Sequence, residues 1–136
     1  YLINKSRPLI YTTGMPPSVL ASCIAAIDII QKDEWMADIL WENVDFMRKG
    51  LIDLGFSLTA AESQIMPIMV GDSEKAVEFS RELFEEGLFI QAIRPPTVPQ
   101  GQARLRLTVM AAHKKEDLKK ALEIIGKVGR RLNVIT

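Results

Sequence analysis

RPPTVPQGQARLRLTV, residues 94–109, is the stretch on which the fold turns. In its second half Ala103, Leu105, Leu107 and Val109 alternate with Arg104, Arg106 and Thr108. Successive strand side chains point to opposite faces, so this pattern predicts a strand with one buried face and one polar face. In its first half Pro95, Pro96 and Pro99 each fix their own φ and restrict the residue before them. A stiff loop therefore feeds a half-exposed strand. Strands of that kind belong to small antiparallel sheets with helices on one side.

The flanking sequence supplies those helices. Pro16 and Pro17 suit the first turn of a helix over Met15–Gln31, where a missing N–H costs little. Leu20, Cys23, Ile24, Ile27 and Ile30 recur on it at helical spacing, which predicts a buried stripe. A second helix is expected over Asp33–Leu54, with Met36, Leu40, Val44, Met47, Leu51 and Leu54 facing a core and Gly55 as its stop. IMPIMV, Ile65–Val70, reads as a short strand that Pro67 confines to an edge or a bulge. Asp72 or Ser73 caps a third helix, Ser73–Glu86, with Ala76, Val77, Phe79, Leu83 and Phe84 as its apolar face and Gly87 beyond its end. Leu88–Ile93 is a further strand. A last helix starts near His113 or Lys114, with Glu116 set for a capping box, and carries Leu118, Leu122, Ile125, Val128 and Leu132 inward. The fold class is α+β, with helices on one face of a small, mostly antiparallel sheet.

Composition narrows the function. The chain has 136 residues, 17 Lys plus Arg and 17 Asp plus Glu. A formal net charge of zero offers no broad attraction to nucleic acid or to an anionic membrane. No apolar run approaches the roughly 20 residues that span a bilayer. The single cysteine, Cys23, makes neither an internal disulfide nor a cysteine metal cluster, and it fits a reducing, cytoplasmic setting. The opening YLINKSRPLIYTTGMPP reads as an extended connector, so residues 1–15 are expected to join a single domain to a larger part of a longer protein.

No glycine-rich phosphate loop, nucleophile elbow or metal-ligand pair is present. His113, the one histidine, stands at a helix start, where a structural role is the ordinary reading. Arg104 and Arg106 share the polar face of the strand. A guanidinium is permanently charged, and its planar fork matches a carboxylate. Two arginines at i and i+2 also occur on plain solvated faces, and the residues alone leave both readings open. Thr97 stands between restrained prolines and offers a hydroxyl that donates and accepts. Thr12 and Thr13 precede Gly14, a combination that suits a phosphate but is common in turns.

YLINKSRPLIYTTGMPP and IQAIRPPTVPQGQARLRLTVMAAHKKEDL together resemble the C-terminal part of the 8-amino-7-oxononanoate synthase family, a branch of the α-oxoamine synthases. The resemblance covers essentially the whole chain. It implies the small C-terminal domain of the pyridoxal-phosphate (PLP) dependent, aspartate-aminotransferase-like fold. It implies a homodimeric enzyme that condenses L-alanine with a pimeloyl thioester, CoA-bound or carrier-bound, in biotin synthesis. RPPTVP favours this branch over relatives that use glycine with acetyl-CoA or another acyl-CoA. Residue by residue, Arg106 matches the arginine that holds the amino-acid carboxylate and Thr97 matches a substrate-contact threonine. Thr12 and Thr13 match a pair that reaches the PLP phosphate of the partner subunit. Arg94 and Arg104 receive no role. The Schiff-base lysine, the ring-stacking histidine and the aspartate at the pyridine nitrogen match nothing here. No catalytic or metal-binding residue is therefore expected in this chain, which should neither hold PLP nor catalyse alone. A non-catalytic binding module built on the same domain is the alternative of another class.

Overall fold

The computed structural model describes residues 1–8, 13–33, 35–58 and 62–136. The chain divides into two units, Tyr1–Trp35 and Met36–Thr136.

The first unit contains α1 (Leu2–Lys5) and α2 (Pro17–Lys32). The Leu2–Lys5 turn is helical where the sequence suggested an extended connector. The helix α2 begins at Pro17, with that proline at its first position as its missing N–H allows. Its apolar stripe does not form the buried face expected of it. No residue of α2 is buried, and Ile24 and Ile30 are 62% and 71% exposed. Among the described residues of this unit, α1 is four residues long and also buries nothing, so it offers the stripe no cover. Periodicity marked an apolar face; it did not supply a surface to cover it.

The second unit holds α3 (Trp35–Asp53, whose first residue belongs to the other unit), β1 (Ile65–Gly71), α4 (Ser73–Glu85), β2 (Gln91–Ile93), β3 (Ala103–Thr108) and α5 (Lys115–Arg131). The strands form an antiparallel sheet in the order β1-β3-β2. The alternating strand is thus central, and Ala103, Leu105 and Leu107 drive one face into the core as expected. Pro67 sits on β1 opposite Arg106, and β1 is an edge strand of this sheet, as a residue without an N–H requires. An isolated bridge from Leu58 to Ile68 covers part of that edge.

The core gathers Val44, Met47 and Leu51 of α3, Phe79 and Leu83 of α4, and Ile125 and Val128 of α5 beneath the sheet. Gly55 and Gly87 follow α3 and α4 at φ +94° and +86°, the left-handed geometry in which a side chain would be strained. Asp72 caps α4 by accepting the Lys75 N–H at 2.8 Å. Two residues of α4 expected inside are outside: Val77 is 45% exposed and Phe84 65%. Only Ala76, Phe79 and Leu83 point at the sheet, which is one narrow stripe at i, i+3 and i+7. The strand expected over Leu88–Ile93 is shorter, because only Gln91–Ile93 pair with β3.

The link from β3 to α5 is pinned from below. Asn43, 2% exposed, donates from Nδ2 to the carbonyls of Met110 and His113 at 3.1 and 3.0 Å. His113 in turn accepts the Met110 N–H on Nδ1 at 3.2 Å, the structural role expected of it. It does not cap the helix: the N-cap is Lys114, with no side-chain cap. Asn43→Ala is expected to lower stability by about 1–3 kcal/mol, the cost of leaving buried acceptors without donors, as read by urea unfolding. A loss under about 0.5 kcal/mol would mean that water replaces the amide freely.

At the far end, Lys127 donates to Glu86 at 2.7 Å and Arg131 to Glu82 at 2.8 Å, tying α5 to α4 and its C-cap residue. The Lys127 hydrogen bond, and then its charge, hold the Glu86 carboxyl below its ordinary value. That contribution is present above the ordinary carboxylate range and is lost as pH falls through the lowered value. Both partners face solvent, so it is small. Among the described residues no helix is long and apolar enough to cross a membrane.

Candidate functional site

The face of the sheet opposite the core carries the candidate site. Because β3 is central, its outward Arg104 and Arg106 each have a neighbour on both sides, while Thr108 has only Ile65 of β1. Arg106 is flanked by Pro67 of β1 and Gln91 of β2; Arg104 is flanked by Met69 and Ile93. Directly opposed residues of an antiparallel pair share a face, so these six side chains form two adjacent rows.

The proline loop closes one end. It is built from two turns, in which Thr97 N–H donates to the Arg94 carbonyl at 3.1 Å and Gln102 N–H to the Pro99 carbonyl at 3.2 Å. The first turn brings Thr97 against the arginine rows. Glu62, Ser63 and Ile65 form the other bank of the resulting groove, of about 440 Å³, which Thr97, Arg104 and Arg106 line together with Pro67 and Ile93. Residues separated by a loop in sequence therefore meet on one surface.

The two arginines differ in what they have left to offer. Arg104 is folded back onto the loop that precedes its strand: Nε donates to the Gln102 carbonyl at 3.0 Å and Nη2 to Gln102 Oε1 at 3.1 Å. Arg106 makes one side-chain bond, from Nη2 to Gln91 Oε1 at 2.8 Å. Among the described residues neither guanidinium has a carboxylate partner. Both partners are neutral amides, so neither guanidinium is neutralised by the group that holds it. Glu62 is the one acidic residue that lines the groove. With one of five donors engaged, Arg106 keeps a fork free for an incoming anion, and a carboxylate fits it.

A second cleft, of about 430 Å³, adjoins the first through Arg106. Met47, Leu88, Leu107, Val109 and Leu118 make it largely apolar, and Gln91 and His113 also line it. Arg106 thus stands between a polar groove and an apolar recess. Neither is lined by a lysine.

Of the residues singled out by sequence, Arg106 and Thr97 come together, joined by Arg104. Arg94 lies elsewhere, in a shallow depression beside Ser73 and Arg81. Thr13 is exposed in the first unit, and Thr12 lies outside the described residues. Sequence reasoning passed over Gln91, Gln102 and Glu62. The alternation of QAI, with Gln91 and Ile93 on one parity, was the available signal for Gln91, but its register against Arg106 is set by the nine-residue loop from 94 to 102.

The model of aminotransferase class I and II matches residues 1–125. The chain belongs to that family. Within it, an 8-amino-7-oxononanoate synthase from Symbiobacterium thermophilum is 46% identical over 134 residues, covering 98% of this chain and 34% of the relative. A Thermus thermophilus relative named 8-amino-7-oxononanoate synthase/2-amino-3-ketobutyrate coenzyme A ligase is 43% identical, again over 98% of this chain and 34% of its own length. A serine palmitoyltransferase from S. paucimobilis, solved with a bound PLP–myriocin aldimine, superposes with a TM-score of 0.85 at 32% identity, covering 95% of this chain and 33% of that one. The chain spans about a third of the length of the curated relatives it matches. The similarity to 8-amino-7-oxononanoate synthases agrees with the resemblance carried by the RPPTVP and ARLRL segments, and the α+β fold with its antiparallel sheet is the one expected.

Proposed function

We propose that these residues form the substrate-carboxylate arm of a PLP-dependent α-oxoamine synthase, and that the whole protein is an 8-amino-7-oxononanoate synthase. The observation that carries this reading is the meeting of Arg106 and Thr97 in one groove where, among the described residues, Arg106 makes no ion pair. In this reading Arg106 receives the carboxylate of L-alanine through two N–H donors, and the Thr97 hydroxyl contacts the substrate from the loop side. The rest of the reaction joins the alanine α-carbon to the acyl group of a pimeloyl thioester, with release of carbon dioxide and the thiol. PLP, when bound to the whole enzyme, supplies the electron sink.

The residues present do not fit the cofactor by themselves, since no lysine lines either recess. The Schiff-base lysine is assigned to the part of the relatives' length that this chain does not cover, and no catalytic step is assigned here. Residues 1–15 are the connector to that part, and 1–136 is its small C-terminal domain. Thr12 and Thr13 are assigned to the cofactor phosphate of a partner subunit in a cytoplasmic homodimer.

The test is turnover by the full-length protein. Formation of 8-amino-7-oxononanoate from L-alanine and a pimeloyl thioester is the expected result, and running CoA and carrier-protein donors side by side decides the carrier. The double name of the Thermus relative favours one second reading, condensation of glycine with acetyl-CoA. Turnover of that pair alone would select it. No turnover of either, with no cofactor absorbance, would leave a binding module.

A further inference from the structure

We propose that Gln91 is a positioning residue for Arg106, and that its neutrality is what keeps the anion site both oriented and charged. The inference rests on the carboxylate-binding reading of Arg106 and adds a residue to it.

The argument starts from register. Gln91 and Arg106 are directly paired across β2 and β3, so their side chains leave the sheet on the same face. Arg106 has long rotatable bonds and carries much rotamer entropy when unanchored. A single bond at 2.8 Å from Nη2 to Gln91 Oε1 removes part of that freedom before a ligand arrives. It uses one donor of five and leaves the remaining N–H groups for a bidentate partner.

The chemistry of the partner matters as much as its place. A carboxylate at position 91 would make the same bond, but it would neutralise the guanidinium and compete with the substrate for it. An apolar side chain would leave the charge but release the guanidinium. The carboxamide anchors without neutralising. Gln102 treats Arg104 differently, taking two of its donors through its carbonyl and its amide. That difference separates an arginine set aside for a ligand from one committed to its own loop. Gln91 and Arg106 also both line the apolar cleft.

The experiment uses the full-length protein with its cofactor, and varies the amino acid at saturating thioester. Gln91→Met is expected to raise KM for the amino acid about tenfold, the scale of one hydrogen bond to a charged group, with kcat within about twofold. Gln91→Glu should raise it further, by about a hundredfold. That larger loss should shrink as pH is lowered through the range where the new carboxylate protonates, whereas Gln91→Met should show no such recovery. Thermal midpoints within a few degrees of the parent separate this from a folding defect. Arg106→Ala is run alongside. If it raises KM while both Gln91 variants match the parent, the positioning role is wrong and the carboxylate site stands. If Arg106→Ala itself leaves KM unmoved, the carboxylate reading fails first. Equal effects of Gln91→Met and Gln91→Glu at every pH would also overturn the proposal, because charge would then be irrelevant.

Discussion

Arg106→Ala in the full-length enzyme is expected to weaken amino-acid binding by at least about thirtyfold, read as KM with the thioester saturating. The magnitude follows from the environment the reading demands. An ion pair in open solvent is worth about 0–1 kcal/mol, which would shift KM less than about fivefold. Truncating one side of an enclosed, hydrogen-bonded charge pair costs about 2–5 kcal/mol, or roughly thirtyfold to a few thousandfold. Within these 136 residues the groove is open and Arg106 is exposed. A large effect therefore requires that the rest of the protein encloses this face when substrate binds, and a small one would say that Arg106 is a surface charge. Arg104→Ala provides the internal control. Its Nε and Nη2 are already held by Gln102, so its loss should move KM less than about tenfold. Equal effects from the two arginines would remove the reason for choosing Arg106.

How far this could be read beforehand depends on whether the information was local. The alternation of ARLRLTV named the buried and open faces of β3 because a period of two is a property of the backbone, independent of neighbours. The glycines after α3 and α4 were legible for the same reason: the left-handed φ they adopt is a local demand. What α2 packs against was not local. Leu20, Ile24, Ile27 and Ile30 were grouped correctly on one stripe, yet all are exposed in this chain. The site divides the same way. Two arginines on an outward face followed from pattern; preferring Arg106 came from family resemblance. The neutral glutamine partners, which explain physically why Arg106 is the freer of the two, depend on cross-strand register and on how the loop from 94 to 102 turns.

Phe79→Ala should be among the most damaging substitutions in the second unit, at about 3–5 kcal/mol. Phe79 and Phe84 stand on one helix, and both were expected inside on helical spacing. Phe79 is fully buried and its ring stacks against Phe56 at 6.1 Å between centroids. Phe56 in turn fills the space that a side chain at Gly129 would need: a Cβ there would lie 2.5 Å from the tip of the Phe56 ring. Removing Phe79 therefore takes away one wall of an aromatic whose tip is already packed against α5, so the ring has little room to collapse inward. The cavity should persist, and large-to-small cost rises with the cavity that remains. Phe84 is 65% exposed and meets Phe89 edge-on at 6.3 Å. Losing it forfeits that pair contact and little burial, about 0.5–1.5 kcal/mol. Urea unfolding of the two variants, followed by far-ultraviolet circular dichroism, should separate their midpoints clearly. If they coincide, the inward face of α4 is broader than the stripe of Ala76, Phe79 and Leu83, and the seat of α4 against the sheet that carries Arg106 needs revising with it.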